Sequence, residues 1–233
     1  MVYNYKSSFD ETRQDLMRNF FLDLSTKGTN KSFKRGNYID IPSGTTFGIV
    51  VDGRVKESIY GQNGEEKILY ILQPGEIFGE ITYFGKGEDY LNTVCLENCR
   101  VSFIEKEYLE SMLVNDPEGY SFVFHSIIRK FRILMYQMSN MTFNTAVEQL
   151  ADTLYRLKTQ QGKNRSGEWE IAIHLTHQQL ANLIGCSRVT VTRGLNDFCK
   201  EGIIEIKKKK IIIKDLDRLN DIRNSHENNP PQV

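Results

Sequence analysis

The chain has 233 residues, 39% hydrophobic and 26% charged, with 30 basic residues balanced by 30 acidic ones. This is the composition of an ordinary soluble protein, long enough for two modest domains or one large one, and zero net charge argues against a uniformly basic nucleic-acid coat. No apolar run approaches the roughly 20 residues of a membrane-spanning helix, so no membrane partner is expected.

The start, MVYNYKSSFDETRQ, has no basic end followed by an apolar core, so an export signal is not expected. Four cysteines without paired spacing (Cys95, Cys99, Cys186, Cys199) suit reduced thiols, and the expected location is the cytoplasm.

In chain order, residues 1 to about 31 are predicted to give one amphipathic helix around Leu16, Phe20, Phe21 and Leu24, followed by a loose GTNKS. Between Phe33 and Phe103, short apolar runs alternate with glycine turns: YIDIP, GIVVDG, RVKESIYG, KILYILQPG, EIFGEITYFG and TVCLENCRVSFIE. That is the rhythm of a compact antiparallel β-roll or barrel, with VDGR and QNGEE supplying hairpin turns through Gly53 and Gly64. After Asp116-Pro117 a long helix runs from Glu118 to about Met141. Phe124, Ile127, Phe131, Leu134, Met138 and Met141 recur on it at alternating three and four residues, the seam of a two-stranded coiled coil. The alternative is a helix packed on its own domain.

A break at Asn144 or Thr145 precedes a further helix, Ala146 to Gln160, with Val147, Leu150, Leu154 and Leu157 inward. GKNRSGEWEIAI then reads as a loop and a strand. The expected division is 1–116 for the first helix and roll, 117–143 for the long helix and hinge, 144–223 for a C-terminal domain and 224–233 for a disordered tail.

The stretch LTHQQLANLIGCSRVTVTRGLNDFCKEGIIEIKKKKIIIK, Leu175 to Lys214, carries the functional signal. Leu175, Leu180, Leu183 and Ile184 share one face of a short helix opened by Thr176 and ended by Gly185. Ser187 can cap a second helix, Arg188 to Lys200, with Val191, Leu195 and Phe198 inward and Arg188, Thr192 and Arg193 outward. Two short helices joined by a glycine-containing turn, the second bearing exposed arginines, form the pattern of a helix-turn-helix. IIEIKKKKIIIK after Gly202 reads as a wing. The blander alternative is a small helical core with a solvated basic hairpin. The charge distribution supports the first: acids outnumber bases from Phe33 to Leu113, and bases outnumber acids from Leu175 to Lys214.

IGCSRVTVTRGL resembles the recognition motif of the cyclic AMP receptor / fumarate-nitrate regulator (CRP/FNR) family of bacterial transcription factors, and the resemblance covers about Phe33 to Leu219. It implies an α+β fold with an N-terminal double-stranded β-helix (a jelly roll of the cyclic-nucleotide-binding type), a long dimerisation helix and a C-terminal winged helix-turn-helix. It also implies a homodimer on a palindromic double-stranded DNA site, an effector-controlled switch and RNA polymerase as a partner. By similarity, Arg188, Val189 and Arg193 stand where base contacts are made. His177, Gln178, Ser187, Thr190 and Thr192 hold phosphates, as Lys208, Lys209 and Lys210 of the wing are expected to do. Many family members have a glutamate after the first arginine, which accepts from a cytosine amino group. Val189 reaches only a thymine methyl, so a different, more AT-rich half-site is expected. RVTVTR followed by KKKI looks closer to the nitrogen-control and halorespiration branches.

PGEIFGEITYFGKGEDYLNTV resembles the family's phosphate-binding cassette. Gly79 and Glu80 remain, but Tyr90, Leu91 and Asn92 occupy the neighbourhood of the usual arginine, and no cation is expected there. The expected effector pocket is Gly79, Glu80, Ile81, Tyr90, Leu91 and Asn92 with Leu134, Met135 and Met138 of the long helix. These residues point away from cyclic AMP, and they leave open a less anionic or more apolar ligand or a constitutive regulator with none. The amino-terminal segment has no cysteine for an iron–sulfur cluster, and His125, the sole candidate axial ligand for haem, is more often a surface or packed residue at such a place, so neither group is expected. Cys95 with Cys99 forms a redox pair or two inert buried thiols. An enzyme on the same roll would need clustered histidines, yet His125, His174, His177 and His226 all lie outside Phe33 to Leu113, and no phosphate loop, nucleophile elbow or zinc spacing occurs. No metal ligands and no catalytic residues are assigned, and the effector is left unnamed. A pure dimerisation scaffold would leave Arg188 and Arg193 without a task.

Overall fold

The computed structural model describes residues 11–42, 45–85, 90–165, 168–171 and 173–225, and divides into two compact units, Met1–Tyr136 and Gln137–Val233. The first opens with helix α1 (Glu11–Ser25), followed by strands β1 (Thr29–Phe33), β2 (Thr45–Asp52), β3 (Val55–Tyr60), β4 (Glu66–Leu72) and β5 (Ile77–Phe78). A short helix α2 (Glu80–Gly85), strands β6 (Asn92–Cys95) and β7 (Cys99–Glu105), and helix α3 (Lys106–Asn115) complete it, together with most of the long helix α4 (Pro117–Phe143). All its ladders are antiparallel, in sheets ordered β1-β7-β2-β5 and β4-β3-β6. Gly53 and Gly64 turn the β2–β3 and β3–β4 hairpins at φ +78° and +77°, where a side chain would cost about 1–2 kcal/mol.

The apolar faces of these strands are closed by helices. Phe47, Ile49 and Ile77 pack with Met17 and Phe21 of α1, Leu109 and Leu113 of α3, and Phe122 and Val123 of α4. Val50, Val55, Leu72, Phe78, Val101 and Phe103 form a second cluster against Ile133 of α4. Each such buried side chain contributes about 1.5–3 kcal/mol. Pro117 starts α4 without an amide to satisfy, and the Asp116 carboxylate accepts the next two, from Glu118 at 3.0 Å and Gly119 at 3.2 Å.

The second unit contains α5 (Ala146–Gln161), β8 (Gly162–Arg165), β9 (Glu168–Ile171), α6 (His177–Ile184), α7 (Arg188–Lys200), β10 (Ile204–Lys207), β11 (Lys210–Ile213) and α8 (Leu216–Arg223). Its sheet runs β10-β11-β9-β8. At the α4–α5 break, Thr145 N–H donates to Glu148 Oε2 at 2.7 Å and Glu148 N–H to Thr145 Oγ1 at 3.4 Å, a reciprocal cap. Buried Asp152 accepts from Asn140 of α4, Arg156 of α5 and Arg223 of α8 at 2.8–3.0 Å, so one carboxylate ties three helices.

Several local expectations are corrected. Leu16 is exposed, and the inward face of α1 is Met17, Phe21 and Leu24, one residue around the helix. The loose GTNKS contributes to β1, paired along its length with β7. YIDIP forms only a bridge from Tyr38 to Val94, with Ile39 N–H donating to Thr93 O of β6 at 2.9 Å. EIFGEITYFG splits into β5 and α2, and α3 was not anticipated. The loop expected at GKNRSG includes β8, paired with β9. Val147 is exposed rather than inward. Asn224 and Ser225, expected in the disordered tail, extend the end of α8, where Ser225 Oγ bonds Glu148. Residues 226–233 and 1–10 lie outside the described residues.

Candidate nucleic-acid interface and roll interior

Helix α6 begins with a capping box in which Thr176 Oγ1 accepts from Gln179 N at 3.1 Å and Gln179 Oε1 accepts from Thr176 N at 2.9 Å. It ends at Gly185, at φ +95°. Ser187 Oγ then accepts from Thr190 N at 3.0 Å and opens α7. Val191, Leu195 and Phe198 are buried, and Gly194 lets α7 approach α5, since a Cβ there would stand 2.8 Å from Leu150 Cδ2. This packing leaves Arg188, Val189, Thr192, Arg193, Asn196 and Lys200 around a shallow depression on the opposite face, with Val189 67% exposed.

The expected phosphate-binding residues divide by what else holds them. Thr192 Oγ1 gives its one proton to Arg188 O at 2.9 Å, so His177 Nδ1, 2.8 Å away, must be the donor to Thr192. The bond fastens the start of α6 to α7. Gln178 bonds Asn182 on its own helix, and the Ser187 and Thr190 hydroxyls pair with each other at 2.9 Å. In the wing, Lys210 lies 2.6 Å from Glu170 and Lys207 2.8 Å from Glu205. Lys208 and Lys209 make the tip, both in left-handed backbone (φ +47° and +65°).

The first unit holds a buried ion cluster that the sequence did not reveal. Lys130 Nζ of α4 lies 2.8 Å from Glu57 Oε2 of β3 and 2.8 Å from Glu80 Oε1 at the start of α2. Burial alone would lower the Lys130 pKa, but the two carboxylates outweigh it and hold it above the ordinary lysine range. Lys130 also stands 5.3 Å over the Tyr70 ring, and burial is the main cause that raises the Tyr70 phenol. The cation beside Glu80 is supplied from a helix 50 residues away in sequence, and Lys130 does not line the cavity that Leu91 and Asn92 border.

Beside this cluster a cavity of about 540 Å³ lies between the Ile39–Pro42 segment, the start of β2, α2 and β6. Gly79, Leu91 and Asn92 of the expected pocket line it, and Asp40, Thr46 and Thr82 join them without having been anticipated. The buried Thr46 and Thr82 hydroxyls have no hydrogen-bond partner. The other expected pocket residues lie elsewhere. Glu80 is in the ion cluster, Ile81 and Tyr90 are exposed, Leu134 packs on the roll core, Met135 is exposed, and Met138 belongs to the second unit. Nothing in the order of hydroxyls along the chain foretold Thr46 and Thr82, which meet only through the fold.

The expected coiled-coil seam is shifted by the same packing. Phe124, Phe131, Met138 and Met141 are exposed, but Ile127 and Leu134 pack against the roll clusters. Their places on the exposed face fall to Ile128 and Met135, each one residue on.

A β-roll of this topology followed by a winged helix-turn-helix defines a class of transcription regulators. Residues 32–116 match the cyclic nucleotide-binding domain family and residues 148–222 the Crp-like helix-turn-helix domain family. A CRP-like cAMP-activated global transcriptional regulator of Mycobacterium tuberculosis is 26% identical over 189 residues, 80% of this chain and 84% of that protein. Among solved structures, a CooA mutant from Carboxydothermus hydrogenoformans aligns with a TM-score of 0.72 at 20% identity, over 86% of this chain and 90% of that one. CprK in complex with OCPA aligns with a TM-score of 0.66 at 23% identity, over 86% and 91%. The chain belongs to the CRP/FNR family. Its relatives are regulators rather than enzymes, and among the described residues no helix is long and apolar enough to cross a membrane.

Proposed function

We propose that the chain is a cytoplasmic homodimer that reads a palindromic DNA site and is switched by a small effector held in the roll. The observation that carries the reading is the division of α7: one face packs into the core through Val191, Leu195 and Phe198, and the other presents Arg188, Val189 and Arg193 to solvent. In this reading α7 lies in the major groove, where an arginine bidentate to a guanine is worth about 1–3 kcal/mol of discrimination, and Val189 meets a thymine methyl. His177, Gln178, Ser187, Thr190 and Thr192 approach phosphates at the ends of the two helices, and Lys208 and Lys209 do so from the wing tip, with Lys210 restrained by Glu170.

A palindrome needs two readers about 34–36 Å apart, and the exposed apolar face of α4 (Phe124, Ile128, Phe131, Met135, Met138) offers the surface on which two chains would meet. The effector would occupy the cavity beside Gly79 and move the hinge at Asn144 and Thr145. The M. tuberculosis relative is described as cAMP-activated. In this chain Lys130 is committed to two carboxylates and Asp40 is the charged group lining the cavity, which favours an effector less anionic than a cyclic nucleotide. RNA polymerase is the partner proposed for the output.

The test is selection of bound sequences from random duplex DNA, with and without added cell metabolites. A two-fold symmetric motif is expected, with enrichment that depends on a metabolite fraction. An asymmetric motif would overturn the homodimer, and enrichment independent of every fraction would overturn the effector.

A further inference from the structure

Cys95 ends β6, Cys99 starts β7, and the two side chains meet across the short loop Leu96–Asn98 with their sulfurs 2.8 Å apart. Both are buried, and Cys99 is flanked in the chain by exposed Asn98 and Arg100. The backbone on each side is pinned. Cys95 N–H donates to Asn37 O at 3.0 Å, Gly36 N–H donates to Cys95 O at 2.8 Å, and Leu96 N–H donates to Arg54 O at 2.9 Å. Cys99 pairs with Phe33 on β1, and Asn98 Oδ1 accepts from Arg35 N at 3.1 Å. Gly53 sits against the second thiol so closely that a Cβ there would be 2.9 Å from Cys99 Cβ. The backbone that carries both thiols is thus held on each side of the loop. The roll therefore holds two sulfurs in contact, and a disulfide of about 2.05 Å requires them to close by less than about 1 Å.

We infer that Cys95 and Cys99 form a dithiol site that hydroperoxides convert to an intrachain disulfide. The inference does not depend on DNA reading. The Cys99 S–H bond to Cys95 lowers the Cys95 pKa, while that bond and burial raise the Cys99 pKa, so the two sulfurs divide the work of nucleophile and resolving thiol. The Cys95 thiolate attacks one peroxide oxygen. The O–O bond breaks, an S–O bond forms, and the alcohol or water leaves with the proton that Cys95 released. Cys99 then attacks the sulfenic sulfur, the S–S bond forms, the S–O bond breaks, and the hydroxyl leaves as water with the Cys99 proton. Two thiols are oxidised by two electrons and one peroxide is reduced.

The experiment treats the full-length chain, under native conditions, with hydrogen peroxide. Free thiols are then alkylated in denaturant, and the products are read by intact-mass and peptide mass spectrometry. The expected result is a loss of two hydrogens, with the peptide containing Cys95 and Cys99 protected from alkylation until reduction and Cys186 and Cys199 still alkylated. In Cys99→Ser, a sulfenic acid on Cys95 that dimedone captures is expected in place of the disulfide, and in Cys95→Ser no crosslink at all. Alkylation of both Cys95 and Cys99 after peroxide treatment of the folded wild-type chain would overturn the inference. So would a disulfide from either of them to Cys186 or Cys199, or one between chains.

Discussion

The Lys130 ammonium stands 2.8 Å from the Glu80 carboxylate, and neither is open to solvent. Glu80 opens α2 and Lys130 lies on α4, so the contact fastens the segment that resembles a ligand cassette to the long helix. Burying two charges is costly, and removing one partner leaves the other uncompensated. Lys130→Met is expected to destabilise the protein by about 3–5 kcal/mol, read as a fall in urea midpoint. Adding Glu57→Gln and Glu80→Gln to it should restore much of the loss. A single-variant loss under about 1 kcal/mol would mean the cluster is already solvated.

The other buried carboxylate of the first unit predicts an acid response. Burial would raise the Glu76 pKa, but Arg129 at 3.1 Å and Arg18 at 2.9 Å overcome it and hold the group below the ordinary glutamate range. A folded-state pKa depressed in this way contributes stability above the unfolded value of about 4.3 and loses it as pH falls through that value toward the folded one. Between about pH 5 and pH 3 the wild type should lose stability more steeply than Glu76→Gln. Parallel acid titrations of the two proteins check this, and identical slopes would refute it.

Left-handed backbone and positive charge coincide at the wing tip. Lys208 and Lys209 occupy the two left-handed positions of a two-residue hairpin turn, where Asn-Gly is the favoured pair. Lys208→Asn with Lys209→Gly should raise stability by about 1 kcal/mol and at the same time weaken binding to all DNA sequences and flatten its salt dependence. Thermal melts and binding isotherms at several salt concentrations separate the two effects. An unchanged salt slope would remove the wing from the phosphate contacts.

Val189 is the most exposed large apolar residue of α7. Val189→Glu introduces an acceptor for a cytosine amino group and should shift the selected half-site at one base pair, by about 1–3 kcal/mol of preference. Repeating the DNA selection with this variant reads the shift, and an unaltered motif would place α7 differently from the proposal.

Phe131 and Met135 present apolar surface on successive turns of α4. Phe131→Glu with Met135→Glu should weaken self-association at least about tenfold, equivalent to about 1.4 kcal/mol, as measured by sedimentation equilibrium. A variant that stays as associated as the wild type would exclude this face as the seam.

The reader was legible residue by residue in the sequence because its determinants are local. Thr176, Gly185, Ser187 and the inward trio Val191, Leu195 and Phe198 lie within a few turns of one another, and cap, turn and periodicity are short-range properties of the chain. The roll was legible as a rhythm of strands and glycines, although β1, α3 and the split of EIFGEITYFG were not, since strand pairing and burial at those places depend on partners far away. Only the tertiary structure decided that Lys130 meets Glu57 and Glu80, that Ile127 and Leu134 turn to the roll and leave Ile128 and Met135 outside, and that the lysines of one hairpin differ in their freedom. Periodicity states which residues share a face of a helix. It does not state what that face will be pressed against, and in this chain that contact determines which charges are neutralised and which apolar side chains remain for a partner.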